Sequence, residues 1–369
     1  MYLHYVCEAL LIEGHTVTLA LDMRTSDAQE KLKKRCPELL EKISFCNAFN
    51  TIGRLKGSSK LQAAAQCLEE TQADEVFFNN LDDISSRMLR CAAFGVSPPE
   101  ILRGKISGIY VRPRPLDPSQ HGFNNKIKQW GLSRLDKGKW LKNIFLLDEF
   151  IIRDANRKHP HTNFCFLPDP WGGDFSLSKE EARQKLGIPQ DKIVLLHYGT
   201  GGRRKGLHLV LEALSKAHNK KDFFLLCAGK QKNNQALRET IYTLEHENAA
   251  KLYDHYIYYE EERLLYCACD FVLAPYLNHF GSSNPISRAT GAGRPIIASD
   301  YHLIGKRIRT YELGYLFEHN NAASLQKRLD TIANRGAAHL NDFSENLARY
   351  AAGCSIDAFR KALLDGLRN

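Results

Sequence analysis

Apolar runs that fit β-strands alternate with amphipathic patterns that fit helices along most of the chain. The strand-like runs before residue 168 lie at 16–21, 75–78, 106–111, 144–147 and 164–167, and those after it lie at 193–198, 223–228, 254–258, 270–274 and 295–299. Helical spacing occupies 3–13, 27–42, 58–71, a stretch from about residue 85, 206–217, 232–246, 260–268, 285–292 and most of 321–368. This alternation predicts an α/β protein built from doubly wound domains.

One short segment interrupts the alternation. Residues 168–173 contain two prolines and two glycines, a composition typical of a linker between domains. A chain of 369 residues also fits two domains, at roughly 100–200 residues each. We therefore expect one domain on each side of this segment.

The first loop with candidate chemistry is residues 199–206, GTGGRRKG, which follows a buried strand and opens a helix. In an open α/β sheet, ligands bind at the carboxyl ends of the strands, and glycines let the backbone approach a ligand closely. Three consecutive cations at a helix start oppose the helix dipole, unless a bound anion such as a diphosphate offsets them. A flexible surface turn with solvated charges fits this loop, taken alone, about as well.

The second loop is residues 278–286, NHFGSSNPI, which follows the strand at 270–274 and precedes another helix. Its small residues leave backbone N–H groups accessible at a helix N-terminus, and Pro285 suits the first helical turn. Ser and Asn also cap helices without any ligand. Taken together on one sheet edge, the two loops predict a clamp for phosphate groups.

Composition narrows the class of protein. The chain is 43% hydrophobic and 25% charged, as ordinary globular proteins are. It contains no apolar run of about 18 residues and no signal-peptide pattern at its start. Its ten cysteines show no zinc spacing, which favours buried, reduced thiols. These features predict a cytoplasmic protein without a metal site.

The net charge of +9 is unevenly distributed. Residues 124–143 carry six Lys and Arg against one acid, Asp136, with Trp130 and Trp140 among them. Such a segment suits contact with an anionic lipid surface. A solvated basic loop or helix whose tryptophans face inward fits the same pattern. No recognition motif accompanies the charge, so we expect no nucleic-acid partner.

Residues 269–300, CDFVLAPYLNHFGSSNPISRATGAGRPIIASD, resemble the donor-site signature of the family 4-like retaining glycosyltransferases of the GT-B fold. The upstream HYGTGGRRKGLHLVLEAL resembles that family's Gly-rich strand-turn-helix, and residues 4–21 resemble its first N-domain helix and second strand. The resemblance is specific over 193–305, looser over 1–22 and thin between.

This resemblance implies GT-B architecture, with two Rossmann-like domains facing across a cleft. An acceptor-side domain would occupy 1–167, the linker 168–173 and a nucleotide-sugar-binding domain 174–345. A final helix at 346–369 would return to the N-terminal domain.

The same resemblance places the donor diphosphate against the two loops. Lys205 would bind the diphosphate, and Arg203 or Arg204 would substitute for an arginine whose place Thr200 occupies. Backbone amides of the second loop would hold the distal phosphate, and the base would lie near Ala228 and 255–259. The catalytic candidates are thus Lys205, Arg203 and Arg288, and the donor-binding candidates are Gly199, Thr200, Gly201, Gly202, Arg204, Ala228, Asn278, His279, Gly281, Ser282, Ser283 and Asn284.

The chain departs from the family pattern in three ways. The family's two spaced glutamates fall at Asn278 and Arg288, and an arginine only donates hydrogen bonds. The family's first strand is missing, because the chain begins inside the expected first helix; either the start is misplaced or part of the acceptor side is lacking. No histidine motif of the N-terminal domain is clear. The acceptor-side candidates are Asn79, Asn80, Asp82, Arg112 and Arg114, each of which also fits a loop-capping role.

The sequence therefore predicts a hexosyl-type glycosyltransferase that moves a sugar from a nucleoside diphosphate sugar to a glycan or lipid-linked acceptor, as in polysaccharide biosynthesis. The resemblance implies retention of anomeric configuration and no cofactor or obligatory metal. Expected partners are the donor, the acceptor and, through 124–143, the inner face of a membrane. A catalytically inactive relative with a binding or scaffolding role is the main alternative, and an epimerase of the same fold is a weaker one.

Overall fold

The computed structural model describes residues 2–22, 37–50, 54–231, 235–336 and 341–368. The chain forms two compact units, Met1–Pro168 with Phe359–Asn369, and Asp169–Ala358. Every strand pairing within the described sheets is parallel. The α/β class with parallel sheets, which the alternation of patterns predicted, is confirmed.

The elements fall in chain order as follows. The strands of the first unit are β1 (Val17–Leu21), β2 (Ile43–Asn47), β3 (Val76–Phe78), β4 (Ile106–Tyr110), β5 (Leu141–Leu146) and β6 (Asn163–Phe166). Its helices up to residue 168 are α1 (Leu3–Ile12), α2 (Pro37–Leu40), α3 (Lys60–Thr71), α4 (Asp82–Ala93), α5 (Phe123–Lys137) and α6 (Ile152–Lys158).

The elements after residue 168 continue the numbering. The strands are β7 (Ile193–Tyr198), β8 (Phe223–Ala228), β9 (Ala250–Tyr253), β10 (Phe271–Ala274), β11 (Ile296–Asp300) and β12 (Gly314–Glu318). The helices are α7 (Lys179–Leu186), α8 (Leu207–Lys216), α9 (Gln235–His246), α10 (Tyr259–Ala268), α11 (Asn284–Gly291), α12 (His302–Tyr311), α13 (Ala322–Arg335), α14 (Ser344–Gly353) and α15 (Ile356–Arg368).

The described strands of the first unit form two sheets, one of β1 and β2 and one in the order β3-β4-β5-β6. Helix α1 contributes to the cores of both. Its Val6 and Ala9 pack in a cluster with Phe145 of the larger sheet, whereas Cys7 packs with Val17 of the smaller one. A helix with apolar residues on two sides can be buried in this way, because each side meets a different sheet.

The last helix completes the core of the first unit. Phe359 and Leu363 of α15 lie in the same cluster as Phe145. Gly366 lies so close to the sheet that a Cβ there would be 2.6 Å from a ring carbon of Phe145. The side chain of Asn163 donates a hydrogen bond to the carbonyl of Gly366 at 3.1 Å. Residues Phe359–Asn369 therefore belong to the N-terminal unit.

The second unit contains one six-stranded sheet in the order β12-β11-β10-β7-β8-β9, with an apolar core on each face. The chain winds outward from β7 to β9 on one side, then returns to build β10 to β12 on the other. The strand order therefore reverses between β7 and β10. Ligands of doubly wound sheets bind at such a switch point, beyond the carboxyl ends of the strands.

Helix α7 has a sequence-encoded cap at each end, and an ion pair holds it against the sheet. Ser178 and Glu181 form a capping box at its start, and Gly187 ends it in the left-handed conformation, φ 62°. Its Arg183 donates to Asp270 at 2.6 Å, and Asp270 also accepts from the backbone N–H of Val194 at 2.7 Å. The buried carboxylate thus ties α7 to the amino ends of β7 and β10.

Two features of the sheets differ from the sequence predictions, and one helix prediction falls mostly on residues that the structure does not describe. Residues 254–258 are not a strand: β9 is Ala250–Tyr253, and the chain leaves the sheet where Asp254 accepts a hydrogen bond from the backbone of Gln231 at 2.6 Å. Strands β2 and β12 were not predicted. The helix predicted at 27–42 lies largely outside the described residues, and its described part contains only α2.

The segment predicted as a linker, residues 168–173, makes specific contacts within the second unit through Trp171. Asp169 begins the second unit, and the backbone N–H of Trp171 donates to the carbonyl of Cys354 at 3.0 Å. The indole Nε1 of Trp171 donates to Ala351 at 2.9 Å. Gly291 of α11 lies against the same indole, where a Cβ would be 2.4 Å from a ring atom. Trp171 is therefore packed within the second unit.

Candidate functional site

The two loops predicted to carry the chemistry adjoin at the switch point of the second sheet. Strands β7 and β10 pair directly, so the loops that follow them start side by side. The backbone N–H of Leu277 donates to the carbonyl of Arg204 at 2.8 Å. The Nη1 of Arg204 lies 2.5 Å from Nδ1 of His279. The structure thus brings residues 199–206 and 278–284 together.

Lys205 lies where the two loops join. Its ammonium is 4.0 Å from the ring centre of Tyr276, a cation–π contact. Gly199, with φ 122°, lets the lysine pass close by, since a Cβ there would be 3.2 Å from its Nζ. The hydroxyl of Tyr276 lies 3.4 Å from Oγ of Ser283. The charge of Lys205 is therefore held against Tyr276, which precedes the second loop and whose hydroxyl adjoins Ser283 of that loop.

Buried His197 fixes the backbone of the turn that carries Lys205. Its Nε2 lies 3.0 Å from the carbonyl oxygen of Lys205, and because that oxygen can only accept, Nε2 carries the proton. Burial lowers the pKa of His197 to about 4, so the ring is neutral near pH 7. Its Nδ1 is buried without a hydrogen-bond partner. His197 acts on the site through the turn rather than by contact with a ligand.

Gly206 ends the same turn under a tight steric constraint. Its φ is +72°, and a Cβ there would lie 1.9 Å from the carbonyl oxygen of Pro275. Only glycine adopts this conformation and tolerates this approach without displacing the neighbouring backbone. The close contact is what sets the distance between the two loops.

The second loop presents backbone amides. Among the described hydrogen bonds, none is donated by the backbone N–H groups of residues 281–284. The side chains meanwhile fix the loop: Ser282 donates to Asp169 at 2.9 Å and Asn284 donates to the same carboxylate at 3.1 Å. Arg307 donates to the hydroxyl of Ser282 at 2.6 Å. A helix N-terminus with unbonded amides, built on a fixed loop, can bind an anion.

The remaining donor-side candidates differ in how far their side chains are exposed to solvent. Thr200, Gly202 and Arg203 are exposed at the tip of the first loop, whereas Ala228 is fully buried at the end of β8. Gly201 packs on Gln231, where a Cβ would lie 1.9 Å from the side-chain oxygen. Asn278 is exposed, and its side-chain oxygen lies 3.3 Å from Nε2 of His319.

Arg288 lies in α11 and faces a carboxylate that the sequence did not single out. Its Nε is 3.1 Å from Oε1 of Glu262, close enough for an ion pair but without hydrogen-bond geometry. Burial alone would lower the pKa of Arg288, but the carboxylate of Glu262 raises it. Burial and the same carboxylate raise the pKa of Tyr198, at the end of β7. The three side chains form a buried polar cluster beside the first loop.

Sequence reasoning missed several residues that shape this site. Tyr276 and His197 lie beside the predicted loops, and their nearness to those motifs was a usable signal. Glu262 lies in a run of three glutamates, two of which are exposed or half-exposed on α10. Nothing in that run distinguishes the carboxylate that turns inward, because its partner is distant in sequence.

The acceptor-side candidates lie in the N-terminal unit, at the carboxyl ends of β3 and β4. Asp82 accepts hydrogen bonds from the backbone N–H groups of Val111 at 2.8 Å and Arg112 at 3.1 Å. The carboxylate therefore joins the loops after the two strands. Asn80 donates to Asp83 at 3.0 Å, and Oδ1 of Asn79 is buried without a hydrogen bond. Arg112 and Arg114 are exposed.

The described residues contain neither a cluster of metal-binding side chains nor a membrane-spanning helix. Within the described residues, no three or more His, Cys, Asp or Glu side chains are grouped as they would be around a metal ion. No helix in this part of the chain is both long and apolar enough to cross a membrane. The cysteines of the described ranges are free, and most are buried.

Comparison with known proteins identifies the fold. Residues 178–351 match the family model of glycosyl transferases group 1. No curated protein matches the chain in sequence. A glycosyltransferase from Rickettsia africae superposes with a TM-score of 0.71 at 16% identity, over 99% of this chain and 93% of that one.

Two further solved structures are similar over nearly the whole chain. HepE from Anabaena, determined in complex with UDP, has a TM-score of 0.68 at 15% identity, over 99% of this chain and 94% of that one. WaaG, a glycosyltransferase involved in lipopolysaccharide biosynthesis, has a TM-score of 0.65 at 17% identity, over 98% of this chain and 94% of that one. These neighbours are GT-B glycosyltransferases with two Rossmann-like domains. The chain has this fold.

Proposed function

We propose that the protein is a glycosyltransferase that moves a sugar, of hexosyl type, from a nucleoside diphosphate sugar to a glycan or lipid-linked acceptor. The observation that carries this proposal is the junction of the two loops, where Lys205 lies over Tyr276 and the hydroxyl of Tyr276 adjoins Ser283, in the segment 281–284 whose amides are unbonded. The match of residues 178–351 to glycosyl transferases group 1 supports the same class of reaction.

The chemistry requires stabilisation of a leaving group. The bond between the anomeric carbon and the phosphate oxygen breaks, and its electron pair stays on the diphosphate. Lys205, Arg203 and the amides of the second loop would stabilise this negative charge through preorganised, charge-assisted hydrogen bonds. The acceptor hydroxyl oxygen forms the new bond to the anomeric carbon, and its proton passes to the departing diphosphate. No residue in this scheme requires a metal ion.

The expected position of the nucleotide follows from the sheet. The diphosphate would lie beyond β7 and β10, and the base beyond the end of β8, near Ala228 and residues 255–259. The UDP complex of HepE is an example of nucleotide binding on this fold. Arg288 would add positive charge on the phosphate side, in addition to its ion pair with Glu262.

Substitution of Lys205 tests the proposed phosphate contact. We expect Lys205→Ala to weaken binding of the nucleoside diphosphate by about 1.5–3 kcal/mol, the range for a hydrogen bond to a charged group. Calorimetric titration with UDP, GDP and ADP measures this loss and identifies the base.

Lys220→Ala is the matched control for Lys205→Ala. Lys220 is exposed in a similar short turn, but at the amino end of β8, on the opposite edge of the sheet. Equal affinity of wild type and Lys205→Ala, with both folded, would contradict the diphosphate role. Binding of no nucleotide by the folded wild type would favour a non-catalytic relative.

The stereochemistry and the acceptor form the finer part of the proposal. We expect retention, so NMR of the product formed from an α-linked donor should show an α-linked sugar; a β-linked product would reject retention. A lipid-linked acceptor would bring the protein to the inner face of a membrane. Assay of glycan and lipid-linked acceptors with the donor selected by calorimetry separates the two acceptor classes.

A further inference from the structure

Two helices of the N-terminal unit form one continuous outer surface. Helices α4 and α5 run side by side in the same direction. Gly131 of α5 lies against the backbone of Leu89, where a Cβ would be 1.8 Å from the carbonyl oxygen. Lys128 donates to the hydroxyl of Ser86 at 2.9 Å. This close packing makes the solvent-facing sides of both helices a single rigid face.

Large apolar side chains project from this face into solvent. Phe123 is 80% exposed and Trp130 is 53% exposed on α5, and Phe94, just after α4, is 72% exposed. On α5 five of the exposed positions, 123, 126, 130, 134 and 137, fall along one helical stripe. Exposed aromatics arranged together on one face indicate an interaction surface.

The same face is positively charged. Arg90 on α4 and Lys126, Arg134 and Lys137 on α5 are exposed. The single acid of α5, Asp136, is turned inward, where it accepts from the backbone of His161 at 3.0 Å and is not exposed. In the described part of the chain, no carboxylate forms an ion pair with Arg90, Lys126 or Lys137.

Neighbouring cations act on one another here. Burial lowers the pKa of Lys128, and the nearby charges of Arg90 and Arg114 lower it further. The guanidinium of Arg134 lies over the ring of the exposed Trp130, 4.7 Å from its centre. A cation and an aromatic side chain are therefore in contact on this stripe. A surface of this kind has an excess of positive charge that an anionic partner would relieve.

The two tryptophans of the basic segment have different environments. Trp140 is buried, with the guanidinium of Arg103 at 4.2 Å over its ring, and it contributes to the core. Trp130 is exposed on the stripe of α5. The inward orientation that the sequence left open therefore applies to Trp140 and not to Trp130.

We propose that this surface, hereafter the α4–α5 face and defined by Arg90, Phe94, Phe123, Lys126, Trp130 and Arg134, docks on a bilayer that contains anionic phospholipids. Aromatic side chains partition into the interface between headgroups and acyl chains, and Lys and Arg are attracted to the negative surface. The α4–α5 face combines both features on a rigid support. This proposal does not depend on the transferase activity, since docking is measured without donor or acceptor.

Vesicle co-sedimentation of the full chain tests the proposal. We expect binding to vesicles of phosphatidylcholine with phosphatidylglycerol, little binding to phosphatidylcholine alone, and weakening with added salt. Lys126→Glu with Arg134→Glu should reduce the partition coefficient by at least about 25-fold, because each of the two cations contributes about fivefold at an anionic surface. Lys327→Glu, an exposed lysine on α13 of the other unit, is the charge control and should bind as wild type does.

The aromatic residues need a separate test. Phe123→Ser with Trp130→Ser should reduce binding to anionic vesicles, whereas Tyr242→Ser should not; Tyr242 is 46% exposed on α9 of the second unit. All three positions are exposed, so we expect these variants to fold, and circular dichroism checks this. Equal binding of Phe123→Ser/Trp130→Ser and wild type would contradict the role of the aromatics.

Tryptophan fluorescence gives a readout that a purely electrostatic attachment would not produce. Brominated phospholipids quench tryptophans that enter the bilayer interface, so we expect quenching in wild type. In Trp130→Phe, which keeps an aromatic ring, binding should persist and most of the quenching should disappear. No binding to anionic vesicles at low salt, or binding abolished by a DNA competitor that itself binds through the same face, would overturn the proposal.

Discussion

The side chains of Arg288 and Glu262 form a largely buried ion pair in the second unit. Arg288 of α11 lies 3.1 Å from a carboxylate oxygen of Glu262, which α10 contributes. Both side chains are largely buried, with 25% of Arg288 and 11% of Glu262 exposed. A buried charge is stable only when an opposite charge accompanies it. The arginine and the glutamate therefore depend on each other.

Removal of one partner tests this dependence. We expect Glu262→Gln to lower the free energy of unfolding by about 3 kcal/mol, because it leaves Arg288 buried without its counter-charge. Chemical denaturation measures the change. Glu260→Gln is the matched control on the same helix, with 79% of its side chain exposed, and should change stability very little.

A double-substituted protein separates the pair from other effects. If the ion pair explains the loss, Glu262→Gln combined with Arg288→Met should be more stable than Glu262→Gln alone. Additive losses in the double variant would show that each side chain stabilises the unit independently, contrary to this account.

Sequence reasoning proposed the loop residues of the candidate site but not the residues beneath them. Lys205 and the segment 278–284 were predicted because glycines, cations and small polar residues cluster in one short stretch of chain. Glu262, Tyr276 and Asp169 were missed. Their roles depend on contacts with residues distant in sequence, such as Asp169 with Ser282 and Asn284, and no local pattern encodes such contacts.

At the scale of elements, the junction of the loops that follow β7 and β10 depends on a glycine, Gly206, at the point where the two backbones touch. The turn at Arg203–Lys205 ends at Gly206, directly against the carbonyl of Pro275 after β10. Because β7 and β10 are paired neighbours, any added atom at this contact must displace one loop from the other. The geometry of the candidate phosphate site is therefore set by strand pairing together with Gly206.

Gly206→Ala tests this element. We expect it to destabilise the second unit by at least about 1–2 kcal/mol, the cost of a left-handed conformation for a residue with a Cβ. It should also weaken nucleotide binding, since the added methyl separates the two loops. Denaturation and calorimetric titration measure the two effects.

Gly202→Ala is the control within the same loop. Gly202 has an extended backbone with φ 173°, and a Cβ there would meet nothing within 4 Å. We expect stability close to that of wild type. A larger loss for Gly202→Ala than for Gly206→Ala would contradict the steric explanation.

The elements themselves were predicted unevenly. The buried strands of the second sheet are continuous apolar runs, and these were recognised because burial on both faces requires them. Residues 254–258 have a similar pattern but leave the sheet, since Asp254 pairs with Arg238 and Gln231 beside β9. Strand β2, with Ser44 and Asn47 interrupting its apolar positions, gave no clear signal.

At the scale of the whole molecule, histidines in both units are held neutral. Burial lowers the pKa of His159 in the N-terminal unit and of His197, His208 and His319 in the second. In an unfolded chain these rings have pKa values near 6.5. The unfolded state therefore binds more protons than the folded state as the pH falls below that value, and acid favours unfolding of both units.

His197 should contribute most clearly to this acid sensitivity, because its pKa is lowered to about 4. Its contribution to stability is complete above about pH 6.5 and is lost as the pH falls toward about 4. Between about pH 7.5 and about pH 5, the unfolding free energy of the second unit should fall by about 2 kcal/mol on account of this ring alone. Denaturation curves at both pH values measure the difference.

His197→Gln is the control, because it keeps a donor for the carbonyl of Lys205 but does not titrate. Between the same two pH values, the unfolding free energy of this variant should fall by about 2 kcal/mol less than that of wild type. An equal loss in wild type and His197→Gln would show that the ring is not held neutral, and it would remove the basis for the tautomer assigned beneath Lys205.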